Sequence, residues 1–276
     1  MPNLFDVARH FDDIPVVDGY SAAPLFKAQF STFNESSPDG SVLLKRVLSV
    51  RPGTTIPTRR VIRVLGEYWI VGHGNHDGIY GKPIRETFWM KKVSDTVEII
   101  SPAQACNGGS GTFMMASVNY LKDTVNGVSD TQYDPFWDVY VGISESASKG
   151  QYVRSGSKLY RIRGTHQELS GFTLMQCDEL DQGSQVTATV QSGLSYDPIN
   201  DTYSGTPTNL AGLLLESSKF YKYDTLADPK YNAGDMNFVT TTKQPINAVL
   251  SISSVKWRVM AVQQELDAWN HHVRVV

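Results

Sequence analysis

Short runs in which β-branched and aromatic residues alternate with polar ones, each closed by Gly, Pro, Asn or Asp, recur along nearly the whole chain. Val61-Ile62-Arg63-Val64, Tyr68-Trp69-Ile70-Val71, Val139-Tyr140-Val141, Leu159-Tyr160-Arg161-Ile162, Val186-Thr187-Ala188-Thr189-Val190 and Lys256-Trp257-Arg258-Val259 are of this kind. A period of two places successive side chains on opposite faces of a strand, and segments this short suit strands rather than helices. The expected fold is therefore all-β: two or three small β-barrel or β-sandwich units with long loops and minor short helices. Leu4, Phe5, Val7, Ala8 and Phe11 fit one face of a short helix with Asn3 as its cap. Ser101-Pro102-Ala103-Gln104-Ala105 supplies a cap and a proline at the first helical position, again with little length.

With 276 residues, the chain has room for one large or two medium domains. The Gly-rich run Asn107-Gly108-Gly109-Ser110-Gly111 is the clearest compositional break. It predicts a linker between an N-terminal β-barrel-like domain, 1–110, and a C-terminal β domain, 111–276, of one or two units. A polar stretch over 191–208 reads as a projecting loop or a second linker. Internal similarity is visible as well. Tyr68-x-Ile70-x-Gly72 recurs as Tyr160-x-Ile162-x-Gly164 and, more loosely, as Trp257-x-Val259-x-Ala261, each after a glycine or Ser-Ser turn. Each copy runs on to a polar loop and a second strand: Thr87-Phe88-Trp89-Met90, Phe172-Thr173-Leu174-Met175 and His272-Val273-Arg274-Val275. This grammar describes one barrel hairpin used two or three times.

Composition narrows the function classes. An aromatic share of 11% and the lack of charged or repetitive tracts favour a folded chain. A net charge of -3 argues against nonspecific nucleic-acid binding, which rests on surplus Lys and Arg. Neither a signal peptide nor a membrane span is expected. Cys106 and Cys177 are far apart, read as reduced structural thiols, and form no metal motif. His73, His76 and Asp77, within the Gly-bracketed Gly72–Gly78 run, are better explained by a polar hairpin loop than by a metal site. Adjacent His271 and His272 point to opposite strand faces and so do not share a metal. The acids Asp178, Glu179 and Asp181 fit an exposed turn after a strand. No nucleophile elbow, zincin motif or dinucleotide fingerprint occurs, so neither catalytic residues nor cofactors are expected.

One charge feature stands out. Lys45, Arg46, Arg51, Arg59, Arg60 and Arg63 lie in a stretch without an acid. Up to Gly111 the chain holds 12 basic and 11 acidic residues; beyond it, 13 and 17. Such a basic face suits an acidic protein surface or a conduit for DNA, or it is a strand pair with solvated arginines. Arg46, Arg51, Arg59, Arg60 and Arg63 are the basic interface candidates. Tyr133, Trp137, Tyr196 and Tyr203, set among turn residues, are the aromatic ones.

The β-rich chain, its polarised charge and Gly66-Glu67-Tyr68-Trp69-Ile70-Val71-Gly72 within Thr54–Val93, echoed over Gly156–Met175, resemble head-completion, stopper and related neck proteins of tailed bacteriophages. The likeness covers under a quarter of the chain. It implies a noncatalytic virion protein, assembled in the host cytoplasm as a ring at the head-to-tail junction, where it seals the DNA passage and joins head to tail. The implied partners are copies of itself, portal- or adaptor-side and tail-side neighbours, and passively DNA in transit, with no membrane. From the residues themselves, a carbohydrate- or receptor-binding β-sandwich module of a tail or surface is the alternative. A hydrolase using Asp178 or Glu179 is a third reading.

Overall fold

In the computed structural model, residues 14–36, 42–79, 82–121, 136–180, 185–191, 195–199, 202–204, 206–216 and 234–276 are described. The helix expected over Leu4–Phe11 lies outside them. As the alternating pattern requires, the described residues are mostly strand. In the first barrel, β1 (Ile14–Asp18), β2 (Pro24–Ser36), β3 (Val42–Val50), β4 (Val61–Val64), β5 (Glu67–Ile79) and β6 (Lys82–Lys92) close in the order β1-β2-β3-β6-β5-β4. The second is built from β7 (Asp95–Ile100), β8 (Thr112–Leu121), β9 (Phe136–Gly142), β10 (Tyr152–Ser155), β11 (Lys158–Gln167) and β12 (Phe172–Leu180). The third comprises β13 (Gln185–Val190), β16 (Thr208–Glu216), β17 (Met236–Thr240), β18 (Val249–Ile252), β19 (Val255–Glu265) and β20 (Ala268–Val275). All three are closed and repeat one order: first, second, third, sixth, fifth, fourth.

The barrels differ most between their first and second strands. Residues 19–23 make a tight turn in the first barrel, opened by Asp18, whose Oδ1 accepts from the Tyr20 and Ser21 amides at 3.0 and 2.7 Å. In the second, the connection holds α1 (Pro102–Asn107), with a Ser101–Gln104 capping box and Gly108 in the left-handed conformation at its end. In the third it holds a two-stranded hairpin, β14 (Ser195–Asp197) and β15 (Thr202–Ser204). The Gly-rich run and the polar 191–208 stretch therefore occupy equivalent places. The first closes α1 and leads into β8; the second, read from the sequence as a projecting loop or a second linker, carries a hairpin.

The internal repeat is a repeat of position. The fourth and fifth strands of each barrel are joined by a two-residue turn, with Val64 opposite Glu67, Ser155 opposite Lys158, and Ile252 opposite Val255. Four residues into each fifth strand the same bond recurs: Val71 N to Arg60 O at 2.7 Å, Ile162 N to Gln151 O at 2.8 Å, Val259 N to Ala248 O at 2.9 Å. The structural counterparts are thus Trp69, Tyr160 and Trp257, then Val71, Ile162 and Val259. All six are buried, whereas Tyr68 is 37% exposed. The first copy of the sequence motif is accordingly out of register by one residue. Ile70 is fully buried alongside Trp69 and Val71, so both faces of β5 are apolar there and alternation alone carries no phase. After this pair a bulge follows in two barrels. Val71 opposes Met90 and Gly74 opposes Phe88; Val259 opposes Val273 and Ala261 opposes His272.

By contact density the chain forms two compact units, Met1–Val97 with Met114–Ala147 and Gly164–Gln176, and Glu98–Phe113 with Ser148–Arg163 and Cys177–Val276. The first barrel belongs to the first unit, the third to the second unit, and the strands of the second barrel are divided between them. The first unit has a core of Val16, Ala28, Leu48, Ile62, Trp69, Val71, Phe88 and Met90. Among the described residues, two cores lie in the second. One gathers Phe238, Leu250, Ile252, Trp257, Val259 and Val273 inside the third barrel. The other joins Cys106 of α1 to Ile100, Tyr152, Leu213, Leu215 and Val239.

Tyr152 is fully buried in that second core, and its hydroxyl has no hydrogen-bond partner among the described residues. Burial pushes the phenol far above its usual range. A desolvated donor without a partner costs stability. Tyr152→Phe is therefore expected to raise unfolding free energy by about 1 kcal/mol, read as a higher urea midpoint at constant slope. A lower midpoint would show that the hydroxyl has a partner in solution.

Candidate functional site

The first unit holds a cleft of about 1040 Å³ along β5 and β6. Its geometry starts from the bulge at Gly72 and His73. The bulge frees two backbone groups from the strand ladder and both are recaptured: Arg60 Nη1 donates to Gly72 O, and His73 N to Ser170 O, each at 2.7 Å. The second bond ties β5 to the β11–β12 turn. That turn closes on itself through Gly171 N to Glu168 O at 2.9 Å, Glu168 N to Phe172 O at 2.8 Å, and Ser170 Oγ to Glu168 Oε2 at 2.8 Å.

Two glycines make this approach sterically feasible. A Cβ on Gly72 would lie 2.2 Å from Ser170 O, and one on Gly171, at φ 84°, would lie 2.2 Å from His73 N. Neither neighbour is a flexible side-chain tip, so any side chain at these positions must displace backbone. The wall of the cleft is consequently fixed, with Leu169 at its tip wholly exposed.

The lining combines aromatic and polar groups. Trp69, Trp89 and Phe172 contribute rings, and His73, Asn75, Asn119, Ser117 and Ser170 contribute polar donors and acceptors. The charged groups hold contacts of their own. Arg46 sits over the Phe30 and Trp69 rings at 5.4 and 5.8 Å, Lys91 over Tyr140 and Phe172 at 3.6 and 5.3 Å, and Lys92 pairs with Glu67 at 2.5 Å. Behind Lys91, the nine-tenths buried Asp138 accepts from the Tyr140 hydroxyl at 3.3 Å. Burial, with Glu168 nearby, pushes the Asp138 carboxyl up, and burial likewise raises the Tyr140 phenol.

The basic stretch is placed as follows. Arg46 lines the cleft. Arg59 bonds Glu145 at 2.5 Å and stacks 3.7 Å over Tyr20, while Arg60 holds the bulge. Arg63 is exposed, 5.6 Å over Tyr68, and Arg51 is exposed in the loop after β3. These side chains are distributed over several local contacts. Trp137 is half-buried on β9, Tyr196 and Tyr203 are register partners in β14 and β15, and Tyr133 lies outside the described residues.

Other groups singled out in the sequence also have places. Residues 72–78 run within strand β5, where a hairpin loop was expected, because the bulge absorbs the glycines without ending the strand. Asp178 and Glu179 lie within β12 and not in a turn; they pair with Arg163 at 3.7 Å and Lys158 at 3.0 Å. Asp181 lies outside the described residues. Both cysteines are free and buried, and burial pushes the Cys106 thiol up to about 12, so it stays protonated and donates to Val239 O at 3.1 Å. The cleft itself had no signature in the sequence, since its groups come from five separated segments.

In the second unit, His271 and His272 have different partners. His271 Nε2 accepts from Gln244 N at 2.8 Å, which leaves Nδ1 to donate to Phe238 O at 3.0 Å and fixes the neutral tautomer. His272 bonds Asp235 at 2.9 Å, and Asp235 also holds Arg274 by two bonds of 2.9 Å. Burial holds both imidazoles below the ordinary histidine range. The unfolded chain then binds more protons just below pH 6.5, so stability is full above that value and falls as pH drops through the depressed native values. Thermal unfolding at pH 7.5 and 5.5 should show a lower midpoint at the acid end, and His271→Gln should shrink that difference. An unchanged midpoint would contradict the neutral assignment. For the cleft wall, Gly171→Ala should cost more than about 2 kcal/mol in urea unfolding.

A scan against protein-family models, a search of curated proteins and a search of solved structures each found no match.

Proposed function

We propose that this chain is a noncatalytic structural protein of a tailed-phage virion, forming a ring at the head-to-tail junction that seals the DNA passage and joins head to tail. The observation that carries this reading is the tandem of three closed barrels of one strand order. Closed barrels have no unpaired sheet edge, so copies and neighbours meet through turns and outward faces. Several turns present apolar side chains to water. Leu65, at the β4–β5 turn, is 68% exposed and adopts φ 52°, a left-handed conformation unfavourable for leucine. Ile246 and Leu266, in turns of the second unit, are at least half exposed. One heterologous contact repeated around an axis covers such groups and closes a ring. In this reading Arg51 and Arg63 meet neighbouring proteins or passing DNA on the portal or tail side.

Native mass spectrometry and negative-stain imaging should find a closed oligomer of the 30.6 kDa chain and the protein in particles. Leu65→Asp should shift the oligomer towards monomer without lowering the unfolding midpoint. A strict monomer, absent from particles, overturns the reading.

A further inference from the structure

We infer that the first-unit cleft is a binding site for a neutral oligosaccharide. This goes beyond the assembly role and does not depend on it. Its volume, about 1040 Å³, lies just above the roughly 300–1,000 Å³ typical of small-molecule sites, which suits a ligand of several linked rings.

The lining identifies the ligand class. His73 and Asn75, two residues apart on β5, and Asn119 on β8 are exposed, and their side chains have no partner among the described residues. A planar amide both donates and accepts, which matches vicinal sugar hydroxyls. Trp89, half-buried between the inward-facing Phe88 and Met90, turns its indole to the same cleft. An indole face packs on the apolar face of a pyranose.

Competing occupants fit less well. Cations and carboxylates nearly balance, with Arg46, Lys91 and Lys92 against Glu67 and Glu168, and the three cations are engaged by rings or by Glu67. The cleft thus offers little field to a polyanion such as nucleic acid. An extended peptide usually gains its main-chain bonds from an open sheet edge, and the barrel under the cleft is closed. The wall is also preorganised. The Gly72–Ser170 and Gly171–His73 approaches hold it in place before any ligand arrives, and that removes ordering entropy from binding.

The test is a glycan array carrying neutral, N-acetylated and acidic oligosaccharides, probed with the full chain, followed by calorimetric titration of the retained glycans. Neutral glycans should bind, with an affinity that barely changes between low and high salt. The Asn75→Ala/Asn119→Ala double variant removes two exposed amides, so its unfolding midpoint should match the parent while binding weakens at least about tenfold. Trp89→Ala should quench binding further. The inference is overturned if no neutral glycan binds, if only acidic glycans bind with steep salt dependence, or if a protein ligand occupies the cleft instead. Binding that the double variant leaves intact also overturns it. Mass measurements on the same sample report the ring separately, so either idea can fail alone.

Discussion

Closure of the six-stranded sheet is the constraint on which the rest of the structure depends. A small sheet left open would expose two rows of backbone donors and acceptors. Pairing the first strand with the fourth removes both rows, and this happens three times along the chain with the same order. Closure also fixes the phase of every strand, because inward positions must fill the barrel and outward ones must face water or a neighbour. Trp69, Tyr160 and Trp257 are buried at equivalent places for this reason, although they differ in sequence context.

A closed barrel has few ways to build something special, and here the departures from regularity do so. The bulge at Gly72 and His73 takes two backbone groups out of the ladder and hands them to Arg60 and Ser170. Gly72 of the strand and Gly171 of the β11–β12 turn permit the close approach, and a rigid wall rises beside the sheet. The equivalent bulge in β19 has Met260 in the place of Gly72. The same device in the third barrel therefore remains a local twist without a clamped turn.

Much of the architecture was legible in the chain. Alternation, turn residues and the recurrent aromatic-x-aliphatic pattern pointed to small barrels built on a common hairpin, and Ser101-Pro102 with Gln104 marked the short helix that the structure contains. Two features misled. The Gly-rich run read as a linker and the polar 191–208 run as a projecting loop or a second linker, and both lie between the first and second strands of a barrel. Such connections tolerate insertion because the flanking strands need not pair through a tight turn. The motif copy at Tyr68 was one residue out of phase, since Tyr68-Trp69-Ile70-Val71 is apolar at every position.

The sequence by itself determined the class of structure, since period-two hydrophobicity and turn chemistry are local properties that no distant contact must supply. It also determined that the hairpin recurs. Tertiary structure alone decided the phase of each strand, the fate of Arg46, Arg59 and Arg60, which are held by rings, a carboxylate and a carbonyl, and the assembly of the cleft from β3, β5, β6, β8 and the β11–β12 turn. These depend on groups far apart in the chain coming within a few ångströms, and local pattern carries no information about which distant partner will fill that space.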